Sequence, residues 1–548
     1  MSRRLPTLAY EFSPEERPLF PGSPYAPRHP LHRRLAYVGI AIILALTATL
    51  GNALVTVNLP NLSGALGVYV AQAALLPAAY VAMNASANLL LIKARQQFGI
   101  PIVTHTLLVV YAAAGLLQFV VPGFATALLV RAICGMTAAG LTTMTIYTLL
   151  QVVPPTKRPA ALVGAISLGQ FGPVLARLFP VEMLALSHWQ GLHLIEVGLA
   201  MTALAALLAL PLPPSDRSKA FERLDFVTMA LAIPAVTLFC AVLGVGRYVW
   251  WTDTPWLGIA LSVAIPLFVG ALVIEHNRAR PLLQTKWIGS RDIFRFAIVA
   301  LLVRLALAEQ TYGSVGLLTS AGLTNDQLRD LFAWVLLAMA LGLATTILTL
   351  TPARIPYLII SAALLIALGA WMDTHSTNVT RSPQLIWSQC LIGFGTMLFI
   401  GPALAYGFLR MLERGPSHLV TFIVLFSTTQ NVGGLAGSAI LGSYQVISTR
   451  NHALALSEQA VLADPLVAGR IQTGVQGLSA VIADPAGRAS QGAGLLSQAL
   501  LREATILAFN DVFRLVAVLA LLTALYVIYI RIFNFISQRR ALAEATPP

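Results

Sequence analysis

Two acidic side chains lie within apolar stretches of the sequence, where charged groups are rare. Glu196 is flanked by LHLI and VGLAM, and Glu309 follows the stretch AIVALLVRLALA. Burial in apolar surroundings favours the protonated carboxyl, and a nearby arginine favours the carboxylate. An acid that is alternately bound to and separated from an arginine, such as Arg304 for Glu309, can therefore act as a proton switch. The chemistry these residues predict is proton transfer across a membrane.

Three arginines also lie in apolar stretches, namely Arg131, Arg177 and Arg304. A charge at the centre of a membrane helix costs about 3 kcal/mol on insertion, and such residues usually face the interior of the helix bundle. Positive charges in a cavity favour anionic or weakly acidic amphipathic compounds. Tyr147 and Gln170 could line the same cavity, although aromatic and amide side chains in such stretches also serve packing.

Simpler roles stay open for some of these residues. Arg177 could extend its guanidinium group to the membrane interface. Glu196 and Glu309 could only neutralise buried arginines. His193 lies three residues before Glu196, but no third or fourth metal ligand accompanies the pair, so a metal site is not expected.

The sequence does not favour an enzyme. The polar breaks contain no cluster of acids, histidines or metal ligands, and no glycine-rich phosphate-binding motif, so we expect no cofactor. The three cysteines, Cys134, Cys240 and Cys390, lie in apolar stretches and suggest neither disulfides nor a metal cluster. A membrane-embedded transferase is the disfavoured alternative.

Fourteen apolar runs occupy most of the 548 residues. The mean hydropathy is +0.77 and charged residues make up 10 %, against about 25 % in soluble proteins. A membrane-spanning helix needs about 20 mostly apolar residues. We therefore predict an all-α polytopic membrane protein with spans at 35–59, 68–92, 100–121, 124–150, 160–181, 189–210, 225–246, 256–275, 296–318, 331–350, 355–372, 384–409, 418–445 and 509–535.

The net charge of +13 follows membrane topology rather than nucleic-acid binding, because no basic stretch is interleaved with aromatic residues. Most basic residues fall in alternate short loops, as the positive-inside rule requires of cytoplasmic loops. Both termini are then cytoplasmic, which an even number of spans also requires. Residues 1–34 and 536–548 would be cytoplasmic tails, the first of them disordered.

Helical rise converts these positions into depths. At 1.5 Å of rise per residue, Arg131 and Glu196 should lie roughly 10 Å from the outer face of the membrane, and Arg177 about 6 Å from that face. These three side chains could form one charged layer in the outer third of the membrane. Glu309 comes out about 20 Å along the ninth span, near mid-membrane.

The only long outer loop spans residues 446–508. It is rich in Ala, Gln and Ser, and its stretches ALALSEQAVL and LLSQALLREATILA could form amphipathic helices. A solvated surface loop and a docking surface for an external partner remain equally open interpretations.

Several motifs together resemble a known family. The stretch RAICGMTAAG begins at Arg131, the pair Gly172-Pro173 lies in the fifth span, LGNALVTVNLP ends the first span, and QNVGGLAGSAI lies in the thirteenth. With the long outer loop and the FNDVFRL that follows it, the chain resembles the major facilitator superfamily. It is most similar to the 14-span drug:proton antiporters of the EmrB/QacA type.

The resemblance implies two six-helix bundles, 35–210 and 296–535, with a linker and two extra helices over 211–276 and a cytoplasmic loop over 277–295. It implies proton coupling and substrate binding for Arg131, and a conformational role for Gly172 and Pro173. A periplasmic adaptor protein and an outer-membrane channel would be its partners in a tripartite pump.

The chain also departs from the family pattern. The first-span aspartate of the family falls on Gly51, the fifth-span Gly-Gly on Ala176-Arg177, and the sixth-span asparagine on Glu196. Whether Glu196 or Glu309 replaces the missing aspartate is open. We expect a secondary-active exporter in a bacterial inner membrane, with a proton-coupled importer of an organic anion as the alternative.

Overall fold

The protein is helical throughout the part of the chain that the structure describes. The structure is a computed structural model that describes residues 13, 16, 18, 22–154, 157–179, 190–279, 281–415 and 418–545. In chain order the helices are α1 (Leu31–Val57), α2 (Leu59–Ala65), α3 (Val70–Ala73), α4 (Leu75–Phe98), α5 (Ile100–Val120), α6 (Phe124–Leu150), α7 (Arg158–Gly169), α8 (Gly172–Ala176), α9 (Gln190–Ala209), α10 (Arg223–Val249), α11 (Pro255–His276), α12 (Thr285–Ile288), α13 (Arg291–Leu307), α14 (Ser314–Ser320), α15 (Arg329–Thr349), α16 (Ile355–Met372), α17 (Ile386–Arg414), α18 (Leu419–Gln459), α19 (Pro465–Gly477) and α20 (Pro485–Ala545).

Within the described residues, twelve helices are long and apolar enough to cross a membrane. They match predicted spans one to eight, ten to twelve and fourteen. The prediction of an all-helical multi-pass membrane protein is confirmed, whereas the count of fourteen is not. Predicted span nine falls on α13 and α14, which a π-helical turn, Glu309–Gly313, separates. Predicted span thirteen falls on the first half of α18, where the polar run STTQN interrupts the apolar sequence.

The helices form two packed groups with a pair of helices between them. Helices α1 and α4 to α9 pack on one another, and so do α13 to α18 with α20. Helix α10 packs on α4 of the first group and α18 of the second, while α11 lies against α10. We call the end of the bundle where α1 begins the proximal end, and the end where α1 finishes the distal end.

An ion-pair network holds the intervening helix pair at the proximal end. Lys93 at the end of α4 contacts Asp225 of α10 at 2.6 Å. Arg278, just after α11, contacts Glu222 and Asp225 at 2.7 Å and Glu275 at 2.9 Å. The hydrogen bond from Arg278 lowers the pKa of Glu222, which precedes α10. These ion pairs tie α10 and α11 to α4 at the proximal end.

The described part of the N-terminal segment lies across the proximal end. The amide of Tyr25 donates to the carbonyl of Pro214 at 3.0 Å, and its hydroxyl to Asp216 at 3.1 Å. Gln151 donates to the carbonyl of Tyr25 at 3.0 Å. Helix α1 begins at Leu31, so part of the predicted tail 1–34 is helical. Residues 1–12 of that tail, and the adjoining ends of spans five and six at 180–189, lie outside the described residues.

The Gly172-Pro173 pair coincides with a break in the fifth span. Helix α7 ends at Gly169 and α8 begins at Gly172, with Pro173 in its first turn, where proline is well tolerated. A Cβ atom on Gly172 would lie 2.6 Å from Oγ1 of Thr49. Glycine is therefore required for α8 to approach α1 this closely.

The long connection 446–508 is mostly helical and extends beyond the distal end. Helix α18 continues to Gln459, α19 follows, and α20 begins at Pro485. Of the two stretches expected to be amphipathic, ALALSEQAVL is helical up to the end of α18 at Gln459, and LLSQALLREATILA lies wholly in α20. Helix α19 packs on α20. We call this projection, residues 446–508, the distal arm.

Candidate functional site

A buried ion pair joins α6 to α9. Nη1 of Arg131 donates to Oε1 of Glu196 at 2.6 Å, and Nη2 of Arg131 donates to Oε2. The two side chains are 1 % and 0 % exposed. His193, one turn before Glu196, places Nδ1 3.3 Å from the same Oε2. A bidentate guanidinium–carboxylate pair has the geometry that best offsets the cost of burying both charges.

Glycine residues make room for this pair. A Cβ atom on Gly51 of α1 would lie 2.6 Å from Oε1 of Glu196 and 2.8 Å from the hydroxyl of Tyr111. The carboxylate of Glu196 therefore fills the space that a side chain at position 51 would need. One turn after Arg131, a Cβ atom on Gly135 would lie 2.2 Å from the carbonyl of Tyr80, so α6 packs directly on α4.

A second acidic centre lies in the other helix group. Nε2 of Gln389 donates to Oε1 of Glu309 at 3.0 Å and to Oδ2 of Asp373 at 2.9 Å. Glu309 is 0 % exposed and begins the π-helical turn between α13 and α14. Such turns are often found at functional sites. Asp373 follows α16 and Gln389 lies in the first turn of α17, so the centre is nearer the distal end than the expected mid-membrane depth.

Sequence reasoning missed Asp373. It stands one residue beyond the predicted eleventh span, where an acid is indistinguishable from an interfacial residue. Gln389 in the next predicted span could have indicated a polar partner nearby, because a buried amide needs hydrogen-bond partners.

Arg304 does not pair with Glu309. Its Nε donates to the carbonyl of Gln430 in α18 at 2.9 Å. Five residues place two side chains about 140° apart around an α-helix, so the two cannot share a face. A Cβ atom on Gly434 would lie 2.8 Å from Nη2 of Arg304, so this glycine lets the guanidinium lie against α18.

Arg177 does not join the layer formed by Arg131 and Glu196 either. Its Nη1 donates to Oδ1 of Asn325 at 2.6 Å, and its Cζ lies 5.2 Å from the ring centre of Phe332 in α15. Arg177 therefore connects the two helix groups near the distal end.

Of the two expected cavity-lining residues, Tyr147 is buried and Gln170 is half-buried. The ring of Tyr147 lies 5.8 Å from Cζ of Arg95, which is 1 % exposed and donates to the carbonyls of Leu91 and Gly140. Arg95 was missed because it was assigned to a loop, whereas α4 continues to Phe98.

Amide side chains connect the two helix groups about midway between the proximal and distal ends. Asn431 of α18 donates to Oδ1 of Asn84 in α4 at 2.9 Å. Asn88 donates to the hydroxyl of Ser427 at 3.0 Å. Asparagines within otherwise apolar runs were the signal in the sequence that could have revealed this contact.

Residues 41–438 match the family model described as Major Facilitator Superfamily. The chain belongs to the major facilitator superfamily. It is therefore a membrane transporter of the secondary-active kind rather than an enzyme. No curated protein sequence matches it significantly.

Solved structures of other transporters share the fold at low sequence identity. The human organic anion transporter MFSD10 (TETRAN) is 14 % identical, with a TM-score of 0.50, over 90 % of this chain and 100 % of that one. A bacterial homologue of the human peptide transporters PepT1 and PepT2 is 12 % identical, with a TM-score of 0.54, over 93 % and 99 %. The proton:xylose symporter XylE is 10 % identical, with a TM-score of 0.53, over 90 % and 95 %.

Proposed function

We propose that this transporter exports amphipathic, anionic or weakly acidic compounds across a bacterial inner membrane in exchange for protons. Both termini would be cytoplasmic, so that the distal end faces the periplasm. The chain would be a 14-span member of the EmrB/QacA type, with α13–α14 and the first half of α18 as the ninth and thirteenth spans.

The observation that carries this proposal is the buried pair of Arg131 and Glu196 beside Gly51. Removing one partner of such a pair costs about 3–5 kcal/mol, because the other charge is left without compensation. Protonation of Glu196 therefore changes which helix arrangement is most stable. The rocking of two helix groups around a central site is the motion that such a change would drive in this class of transporter.

Arg304 is the residue we propose for binding the anionic group of the substrate. Within the described part of the chain its guanidinium contacts a carbonyl and forms no ion pair. Gly433 and Gly434 let its side chain lie directly against α18, so an anion would approach the guanidinium from the side away from that helix. An anion there would neutralise a membrane-embedded charge, which is energetically favourable.

The test uses inside-out membrane vesicles energised by respiration, in Na⁺-free buffer, with a pH-sensitive dye reporting the gradient. Acidic and cationic amphipaths are added to wild type, Glu196→Gln and Glu309→Gln, with Glu458→Gln on the exposed distal arm as the matched control. We expect a substrate-dependent loss of the gradient in wild type and control that Glu196→Gln abolishes. A response that is undiminished in both buried variants would refute carboxylate-coupled antiport.

Proton-coupled import of an organic anion is the second candidate, and the same ion pair favours it. An anion that binds Arg131 itself can do so only when Glu196 is protonated, so anion and proton would move together. Vesicles loaded with the compound distinguish the two functions. A proton symporter dissipates the acidic interior of the vesicles when the compound is inside them. An antiporter dissipates it only when the compound is outside.

The distal arm is the proposed contact for a periplasmic adaptor protein and an outer-membrane channel. Leu462, Leu466 and Val481 on the arm are 73 %, 83 % and 82 % exposed. Deleting residues 455–500 should abolish export from intact cells and leave transport by vesicles unchanged. Export that survives the deletion would remove the docking role.

A further inference from the structure

The acidic centre of Glu309 and Asp373 contains two carboxylates and no cationic side chain. Both accept hydrogen bonds from the same amide nitrogen, Nε2 of Gln389. The ion pairs found among the described residues include neither acid. This contrasts with Glu196, which Arg131 neutralises.

Three buried oxygen atoms, two in this centre and one on α20, which packs against it, have no hydrogen-bond partner. They are Oε2 of Glu309, Oε1 of Gln389 and Oδ1 of Asn510. The amide of Gln389 lies between the two carboxylates, and Asn510 donates from its nitrogen to the carbonyl of Ser376, three residues after Asp373. All three atoms are acceptors. A buried acceptor without a donor is unfavourable unless a positive charge or a proton satisfies it.

The other titratable and charged groups on the surrounding elements contact other partners. His375, two residues after Asp373, is exposed, and its Nδ1 lies 3.0 Å from Oγ1 of Thr374. Arg304 of α13 contacts the carbonyl of Gln430. Asp511 of α20 accepts from Ser448 at 2.5 Å, lies 2.7 Å from Nε2 of His452 and contacts Arg514 at 3.1 Å. In the π-helical turn, Tyr312 lies beside Gln445 and Arg247.

We propose that Glu309, Asp373, Gln389 and Asn510 form a binding site for a monovalent cation, Na⁺, that competes with protons. Hard cations prefer carboxylate and carbonyl oxygen ligands, which are the atoms present. One proton shared by the two acids leaves a single negative charge, which matches a monovalent ion. Among the described residues no group of three or more His, Cys, Asp or Glu could hold a metal ion, so a divalent ion is not favoured.

This inference deepens the proposed function, in which Glu196 carries the coupling, by adding a second centre at Glu309 where a cation and protons compete for the carboxylates. Cation binding to acidic ligands releases protons, so affinity falls as the pH is lowered. With one proton displaced, we expect about a tenfold loss of Na⁺ affinity per pH unit once the site is protonated.

The test measures binding of ²²Na⁺ to the purified full-length protein in lipid nanodiscs between pH 6.5 and 9, with choline chloride balancing the ionic strength. We expect saturable binding at pH 9 that weakens toward pH 6.5 and that Li⁺ displaces better than K⁺. Glu309→Gln and, as a second variant, Asp373→Asn should each lose binding while eluting as monodisperse protein. Asp511→Asn and Glu458→Gln are the matched controls and should bind as wild type does.

Either of two results overturns the proposal. Absence of saturable binding at every pH would leave the centre as a proton site only. Binding that survives both Glu309→Gln and Asp373→Asn would place the ion elsewhere. The gradient assay for export contains no Na⁺. Failure of the Na⁺ proposal would therefore leave the result of that assay for Glu196 unaffected, and the two failures can be told apart.

Discussion

The close approach of Gly51 to the carboxylate of Glu196 allows the most direct test of the Arg131–Glu196 site. Gly51→Ala would place a Cβ atom 2.6 Å from Oε1 of Glu196 and 2.8 Å from the Tyr111 hydroxyl, both closer than the 3.0 Å that real Cβ atoms respect. Overpacking of this kind costs about 1–3 kcal/mol. Gly39→Ala on the same helix is the matched control, since nothing lies within 4 Å of its Cβ position.

Gly51→Asp adds a charge to the same clash. Two carboxylates 4 Å apart repel by about 4 kcal/mol at an effective dielectric constant of about 20. We expect Gly51→Asp to be inactive and unstable while Glu196 is present. In the double variant Gly51→Asp/Glu196→Gly the acid comes from α1 instead of α9, and the clash is removed. We expect this variant to recover proton-coupled transport that Glu196→Gly alone has lost.

Stability is measured by the reaction of a thiol-specific dye with Cys134 during heating. Cys134 is buried one turn from Arg131 and becomes reactive when the packing of α6 is lost. Gly51→Ala should lower the midpoint by about 1–3 °C and Gly39→Ala should not. Transport by Gly51→Asp equal to wild type would refute the close approach of Glu196 to α1. A double variant no better than Glu196→Gly would show that the acid must come from α9.

Three further predictions concern the helix contacts. Arg177→Ala removes the hydrogen bond to Asn325 and should weaken the contact between the two helix groups at the distal end. Cysteines introduced at that end should then be labelled faster. Arg381→Ala, at an exposed arginine, is the control. Gly172→Ala should lower the transport rate at least tenfold through its clash with Thr49, and Thr49→Ala should partly restore it; equal rates for Gly172→Ala and wild type would refute the close contact. Arg304→Gln should raise the KM for anionic compounds at least tenfold and leave cationic ones unchanged, and an equal change for both classes would count against a charge interaction.

Much of the fold follows from apolar periodicity, but predicted span nine and the distal arm show its limits. The helix around Glu309 is interrupted, because a π-helical turn admits an extra residue that no hydropathy average registers. The distal arm was read as a loop with helical stretches, because a polar helix and a solvated loop share the same composition. Its Ala- and Leu-rich segments have enough helix propensity to extend α18 and α20 as continuous helices.

The sites were harder to predict than the spans. The depths calculated from helical rise put Arg131 and Glu196 at the same level, and the two side chains form an ion pair in the structure. It also placed Arg177 near that level, yet depth does not fix direction around a helix axis, and Arg177 faces the other helix group. Asp373 and Gln389 reach Glu309 from separate helices, so only tertiary packing brings the three together.

The two acidic centres differ in charge balance, and this difference has consequences for coupling. The centre of Arg131 and Glu196 is neutral when both groups are ionised, so a proton arriving there creates a net positive charge that an anion can compensate. The centre of Glu309 and Asp373 has no cationic partner, so a proton or cation arriving there reduces a negative charge. Uncompensated charge is costly in membrane-spanning helices, which favours states in which each centre is neutral. We therefore expect an anion on the first centre and a cation on the second to stabilise different loaded states. Contacts between the helix groups, among them Asn84 to Asn431 and Arg177 to Asn325, would change as those states interconvert.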